Sequence, residues 1–572
     1  MINSTLNPYL NSNTSLGIDQ AYFSILNLYF NPVIFYAIAW EAYTGNGIPI
    51  ATLEPHSNTT LKISTKYPLH IYYQSIEADR VYEYCHTTYT FKEHGSYGWN
   101  ISNAYLCSNI YVLHEPTESY LPILAAFIIY VLLAILWTTF KVIIRVIRGK
   151  LSPNNIYDDL DRLQEAENVT NLVVRTTKFS TRIHSVDTFR GIAILLMIFV
   201  NNGGGKYVFF NHSAWFGLSI ADLVLPWFAW IMGLMITVSK RTELRLTTSR
   251  IKITLYCLRR SAILIFLGLM LNSKDSESLH DLRFPGVLQL LGVSYFVCAI
   301  LETIFMKPHS QDILHQFGRF AMFRDILESW PQWLIMAGIV TTHTLITFLL
   351  PISNCPKGYF GPGGEYHFRG KYMNCTAGAA GYIDRLIFGN HTYNHTENFL
   401  YGQILRYDPE GLMNTISAIF IVYLGVHAGK ILLLYYQCNS RVIRWFLWTI
   451  FTGIVAGILC NFETQGGIIP ISKRMMTLSY VLICSSFAFL LYALLYVLID
   501  YKQFWNGAPF VYAGINPIFL YVGHILTKGL FPWSWNIAFP SHASLLAMNL
   551  WTTSLWTIIA YLLYRKDIII TI

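Results

Sequence analysis

The sequence predicts a polytopic α-helical membrane protein of about eleven transmembrane helices, with a small β-rich N-terminal domain on the exoplasmic (luminal) side. Three observations predict it. Of 572 residues, 53% are hydrophobic and only 13% charged, with a mean hydropathy of +0.40, a balance outside that of soluble domains. Apolar runs of roughly 17 to 25 residues, the length that crosses ~30 Å of hydrocarbon, recur along the chain. The loops richest in Lys and Arg alternate with the segments that carry Asn58, Asn100, Asn374, Asn390 and Asn394, each opening a glycosylation triplet, as they do when the two occupy opposite faces of a membrane.

Residues 1–118 form the first unit. Runs such as TLKIST, HIYYQS and VYEYC alternate apolar and polar side chains and predict strands of a modest antiparallel sheet. No secretory-signal pattern of basic, apolar and small residues opens the chain. Either a signal was removed or the first apolar segment, AYFSILNLYFNPVIFYAIAW, serves for targeting, and the Asn and Pro inside it argue against a span. Residues 119–146 are the first transmembrane helix, and 147–186, with DDLDRLQEAEN, a cytosolic linker. Residues 187–572 hold ten further helices, near 187–203, 219–239, 252–271, 286–305, 331–351, 413–434, 443–461, 475–499, 508–527 and 547–564. An odd number of crossings places the N-terminus in the lumen and the C-terminus in the cytosol.

Orientation rests on Lys and Arg, which favour the cytosolic side. The segment after the first span carries Lys141, Arg145, Arg148, Lys150 and Arg182, and the loop after the third carries Lys240, Arg241, Arg245 and Arg250. Asn58, Asn100, Asn374, Asn390 and Asn394 open N-x-S/T triplets on the other side, whereas Asn168 lies in the linker and should stay bare. Cys85, Cys107, Cys355 and Cys375 occupy the two large luminal segments, where disulfides form, and four thiols leave three pairings open. Cys257, Cys298, Cys438, Cys460 and Cys484 sit in or beside spans and are expected to be inert core residues. No Cys/His spacing indicates a metal site. The formal charge of +8 resides mostly in cytosolic loops, so topology explains it without nucleic acid. Luminal loop 352–412 is rich in glycine and aromatics, and its cysteines predict an ordered lid.

Chemistry concentrates in NNGGGKYVFFNHSAWFGLSIADLVLPWFAWIMG, residues 201–233, where a histidine and an aspartate open a nearly pure hydrocarbon run. Gly203, Gly204 and Gly205 permit positive φ or close backbone approach. Pro226 cannot donate to the carbonyl of Asp222, so that oxygen needs another partner. His212 and Asp222 meet only if the loop between them folds back.

The block SVDTFRGIAILLMIFVNNGGGKYVFFNHSAWFGLSIADLVLPWFAWIMG is followed in order by LRFPGVLQLLGVSYF, WPQWL, CPKGYFGPGG, NCTAGAAGYIDRL, YDPEGLMNTISAIFIVYLGVHAGKILL, GAPFVYAGINPIFLYVGH and IAYLLYRK. Over residues 182–566 this resembles the heparan-alpha-glucosaminide N-acetyltransferases of the lysosomal membrane. The resemblance implies an acyltransferase that moves acetyl from cytosolic acetyl-CoA to the amine of the terminal non-reducing glucosamine of heparan sulfate in the lysosomal lumen. Its implied partners are acetyl-CoA, heparan sulfate and membrane lipid, with homodimer formation left open and no nucleic acid.

The residues supply roles for that chemistry. His212 is the expected base or acetyl carrier, since imidazole titrates in the right range, and Asp222 would orient it. Asn201 and the backbone N–H groups of Gly203 and Gly204 would stabilise the oxyanion and hold the thioester of acetyl-CoA. Arg190 and Arg260, with Arg259 beside it, are candidates for the phosphates of the coenzyme. Arg283 is placed to meet a sulfate or carboxylate of the sugar chain, and Asn516 and His524 to line an acceptor cavity, with packing as their alternative. The chain departs from the family pattern in lacking an early cysteine pair in FYAIAWEAYTGNG, in His427 for glutamine, in Asn202 for an aromatic residue and in GINP for GMNS, which bears on the acceptor. A transporter of a small solute and an acyltransferase for another amine or sugar remain the competing readings.

Overall fold

The computed structural model describes residues 16–40, 48–77, 80–102, 108–151, 182–246, 249–275, 278–306, 323–365, 367–393, 397–398 and 400–570. Cys107, Asn168 and Asn394 lie outside them.

Alternation builds the N-terminal domain. In β1 (Gln20–Asn27) every second side chain is buried, including Ala21, Phe23 and Ile25, the pattern of a strand with one face on a core. Two four-stranded sheets result, rather than the single antiparallel one expected. One has the order β4 (Asn58–Ser64), β1, β7 (Ser96–Ile101), β8 (Tyr111–His114), with β1 and β7 parallel; the other has β3 (Ile48–Leu53), β2 (Val33–Ala39), β5 (Leu69–Glu77), β6 (Arg80–Tyr89). Phe23 and Trp99 from the first meet Phe35 and Tyr73 from the second, with ring centroids 5.7 to 6.1 Å apart across the sandwich. The segment AYFSILNLYFNPVIFYAIAW thus makes β1 and β2, and its Asn31–Pro32 falls between them.

Ten helices among the described residues are long and apolar enough to cross a membrane. They are α1 (Leu121–Leu151), α2 (His184–Asn201), α3 (Ile220–Leu246), α4 (Arg250–Asn272), α5 (Val287–Phe305), α6 (Trp330–Leu349), α8 (Leu412–Leu434), α9 (Cys438–Leu459), α10 (Leu478–Tyr496) and α13 (His542–Arg565). The segment expected as one span at 508–527 is two short helices, α11 (Phe510–Ile515) and α12 (Pro517–Thr527), because Pro517 has no N–H to continue the first. Helix α1 runs five residues past the expected boundary at 146, and α2 starts inside the expected linker. Loop 352–412 contains helix α7 (Gly378–Phe388) and a Cys355–Cys375 disulfide; Cys85 is also disulfide-bonded. The five cysteines in or beside the helices carry free thiols.

Glycines set the two closest crossings. A Cβ on Gly233 of α3 would lie 1.9 Å from the carbonyl oxygen of Val422 on α8, and one on Gly514 of α11 would lie 1.7 Å from that of Asp187 on α2. Trp230, Trp445, Phe489 and Tyr492 fill the centre. On the side of the bundle that carries the sandwich, Ile38 and Ala39 of β2 pack with Trp215, Ala377, Ala380 and Tyr401, so the sandwich, loop 352–412 and the segment before α3 share one cluster.

Candidate active site

The path from α2 to α3 is bent by its glycines. Gly203, Gly204, Gly205 and Lys206 have φ of 107°, 52°, 70° and 60°, a left-handed run that returns the chain over the end of the bundle. The loop folds back as required. His212 Nδ1 lies 2.8 Å from Asp222 Oδ1 at the start of α3, and Asp222 Oδ2 accepts from Ser213 N, Ser219 N and Ser219 Oγ at 3.0 to 3.1 Å. The carboxylate is fully buried, while the His212 side chain is 45% exposed. The carbonyl oxygen that Pro226 leaves unclaimed accepts from Tyr480 Oη at 2.6 Å, which anchors α3 to α10.

Lys473, in the connection between α9 and α10, was not foreseen. Its Nζ stands 2.8 Å from Nδ1 and 3.1 Å from Nε2 of His212 and 3.6 Å from Asp222 Oδ1. Burial pushes its ammonium down, against the Asp222 and Glu410 carboxylates that hold it up. The signal in the sequence was a Lys-Arg pair in a short loop on the side where the positive-inside rule predicts few basic residues.

One cavity of about 550 Å³ joins these groups to the opposite end of the bundle. His212, Asn201, Lys473 and Glu410 line one end; Arg190, Lys240, Arg260 and Tyr295 line the other, with apolar side chains such as Ile194, Met197, Phe228 and Met232 between. Arg190 and Asn201 are eleven residues apart on α2, about 16 Å of helical rise, and Ala221 and Lys240 on α3 are about 28 Å apart by the same measure. The cavity therefore follows the helices through most of a ~30 Å hydrocarbon layer. At the basic end Arg190 donates to the Gly514 carbonyl at 3.1 Å and lies 3.4 Å from Asp187, and Arg260 sits 4.9 Å over the Tyr295 ring. Lys240, buried and 2.6 Å from Glu243, is a third cation that sequence reasoning counted only as a cytosolic loop residue.

The other expected site residues are placed differently. His524 is buried on α12 with its Nδ1 3.2 Å from the Leu520 carbonyl and its Nε2 3.1 Å from Asn201 Nδ2, so it holds the Asn201 amide instead of lining the cavity. Asn516 bonds Ile568 O and Ile570 N at 2.9 Å and ties down the C-terminal segment. Arg283 is committed to Asp408, 2.7 Å from Nε to Oδ2, and to Glu410; burial opposes its charge, but the two carboxylates overcome that and push the guanidinium up. Gly203 and Gly204 shape the turn from outside the cavity lining, Gly204 packing on Phe210, where a Cβ would come within 2.6 Å. Arg259 is likewise not part of that lining.

The buried carboxylate, the imidazole and the neighbouring ammonium are the parts of a proton-transfer site. A carboxylate can only accept, so Nδ1 carries the proton donated to Asp222 and the ring's lone pair is on Nε2. Proton abstraction at one end of a long cavity whose other end is cationic suits a ligand with an anionic head and a reactive tail.

No family model matches the chain. It is similar to the curated heparan-alpha-glucosaminide N-acetyltransferase of Homo sapiens, 39% identical over 519 residues, and to that of Mus musculus, 39% identical over 510 residues; each alignment covers 85% of this chain and 77% of the relative.

Proposed function

The chain belongs to the heparan-alpha-glucosaminide N-acetyltransferase family, and from that premise we propose that it carries acetyl from cytosolic acetyl-CoA across the lysosomal membrane to the terminal glucosamine of heparan sulfate. The N-terminus and the sandwich are luminal and the C-terminus cytosolic. The observation that carries this reading is the single cavity with cations at one end and His212 at the other.

Arg190, Lys240 and Arg260 hold the phosphates of the coenzyme, and the apolar middle accepts its pantetheine arm. Asn201, fixed by His524, donates to the thioester oxygen as it becomes an oxyanion. Asp222 holds His212 with its lone pair on Nε2, and Nε2, which Lys473 faces at 3.1 Å, takes the proton of the attacking amine as that amine replaces the ammonium. The new bond joins the amine nitrogen to the acetyl carbon; the carbon–sulfur bond breaks; the sulfur leaves as thiolate and receives the proton from His212. The half-exposed side chain of His212 lets an amine approach from the luminal side while the thioester arrives through the cavity, which supports direct transfer in one step.

Membranes containing the protein should convert labelled acetyl-CoA and glucosamine to N-acetylglucosamine. No acetyl-CoA binding and no turnover, with a solute crossing the bilayer instead, would establish the transporter. Acetyl retained on denatured wild type in the absence of acceptor, and lost in His212→Ala, would replace direct transfer with an acetyl-histidine route.

A further inference from the structure

At 203–206 three glycines and Lys206 take positive φ; glycine has no strong preference for one conformation, so the path of this turn is set by the contacts around it. Among the contacts that hold it is His542, the first residue of α13. Its Nδ1 lies 2.8 Å from the Gly205 carbonyl oxygen, and its Nε2 lies 3.1 Å from Asp19 Oδ1 and 3.6 Å from Glu93 Oε2 of the sandwich. The ring is buried and stacked on Tyr207 at a centroid distance of 4.5 Å, and Tyr207 Oη donates to the Ser119 carbonyl at 2.7 Å. A carbonyl and two carboxylates accept and do not donate, so both ring nitrogens face acceptors. Neutral imidazole has one N–H and leaves one of the two contacts unmade. The imidazolium makes both.

We propose that His542 is a positioning residue for acyl transfer: as an imidazolium it ties Asp19 and Glu93 of the sandwich to the Gly205 carbonyl and fixes the turn that delivers the loop bearing His212. The titratable and charged groups around it are Asp19 and Glu93, His94 at 3.9 Å from Glu93, and the phenols of Tyr207 and Tyr120, the latter stacked on Tyr207 at 5.7 Å. Lys206, next to Gly205, is exposed. Acid on the luminal side therefore tightens the turn, and neutral pH releases one of its ties. Transfer then has two opposed pH requirements, a neutral His212 and a charged His542.

This inference rests on the assignment of His212, and the test separates the two. Full-length protein in lipid nanodiscs is assayed from about pH 4.5 to pH 8, the range in which histidine titrates, and amide exchange of residues 203–211 is followed over the same range. Wild type should lose kcat on the alkaline side, with faster exchange in that segment, while KM for acetyl-CoA holds within about twofold because the phosphate-binding end is untouched. His542→Gln, with one tie at every pH, should erase the alkaline limb and lower kcat about tenfold at acid pH, a loss of orientation. Asp19→Asn with Glu93→Gln leaves His542 in place and should move the alkaline limb to lower pH, and this variant decides the matter if His542→Gln does not fold. An unchanged alkaline limb in both variants, or exchange at 203–211 that ignores pH in wild type, overturns the proposal whatever His212 does. Near-normal turnover in a folded His212→Ala protein, with the exchange still pH-dependent, overturns the assignment of His212 and leaves the tie standing.

Discussion

His212 meets a carboxylate and an ammonium that lie 3.6 Å from each other, and they act together. Asp222 accepts the Nδ1 proton and so orients the ring, and the Lys473 ammonium stands 3.1 Å from Nε2. His212→Ala should therefore abolish transfer, by ~10³-fold or more in kcat, while acetyl-CoA binding and thermal stability stay near wild type, because its side chain is half exposed and acts in the transition state. Lys473→Met should cost less, roughly tenfold, because it removes the cation beside the imidazole and leaves His212 and Asp222 in place. Paired kcat measurements and melting curves check both; unchanged kcat in a folded Lys473→Met protein would exclude a role for Lys473 in transfer. His212, Asp222 and Asn201 were legible as polar groups set against hydrocarbon, and Arg190 and Arg260 as cations on the cytosolic side. Lys473 was not, because it lies 261 residues from His212 in a segment without regular periodicity. Arg283, expected to face an anion of the sugar chain, and Asn516, expected either to line a cavity or to pack, have partners, Asp408 and the C-terminal segment, that no local pattern announces.

Among the elements, α7 and α8 meet through a carboxylate. Asp384 on α7 is buried, and its Oδ1 accepts from the backbone N–H of Leu412 at 3.0 Å, satisfying an orphan donor at the start of α8. Burial first, and then the Asp408 carboxylate, push Asp384 up to about 7. A carboxyl raised in the folded state binds its proton more tightly there than in the unfolded chain, so its contribution to stability is complete below about pH 4 and is lost as pH rises through about 7. Asp384→Asn keeps the acceptor and removes the charge; its Tm should match wild type near pH 4 and exceed it by roughly 2–4 °C near pH 8. Equal melting curves at both pH values would contradict the assignment. Most long helices were legible, since an apolar run of membrane length has few other uses. The break at Asn516–Pro517 was not applied to the tenth segment, although Pro517 carried it, and the second sheet was missed because strand order depends on contacts distant in sequence, such as the parallel β1–β7 pair.

At the scale of the whole molecule, the cavity joins two faces that the polypeptide keeps apart. The sandwich and loop 352–412 cover the His212 end, and the cations gather at the other. This division was visible in the alternation of basic loops and glycosylation triplets, but the continuity of the cavity was not, because it is built from α2, α3, α4, α5 and α12 together. It makes one demand that neither a transporter nor an enzyme with both substrates on one side shares: donor and acceptor must react from opposite faces. The most direct measurement uses sealed vesicles in which the sandwich faces inward, with glucosamine trapped inside and labelled acetyl-CoA supplied only outside. The account predicts N-acetylglucosamine inside the vesicles, free coenzyme A outside, and neither with His212→Ala. Product formed only after the vesicles are broken, or only when both substrates are on the same side, would contradict it.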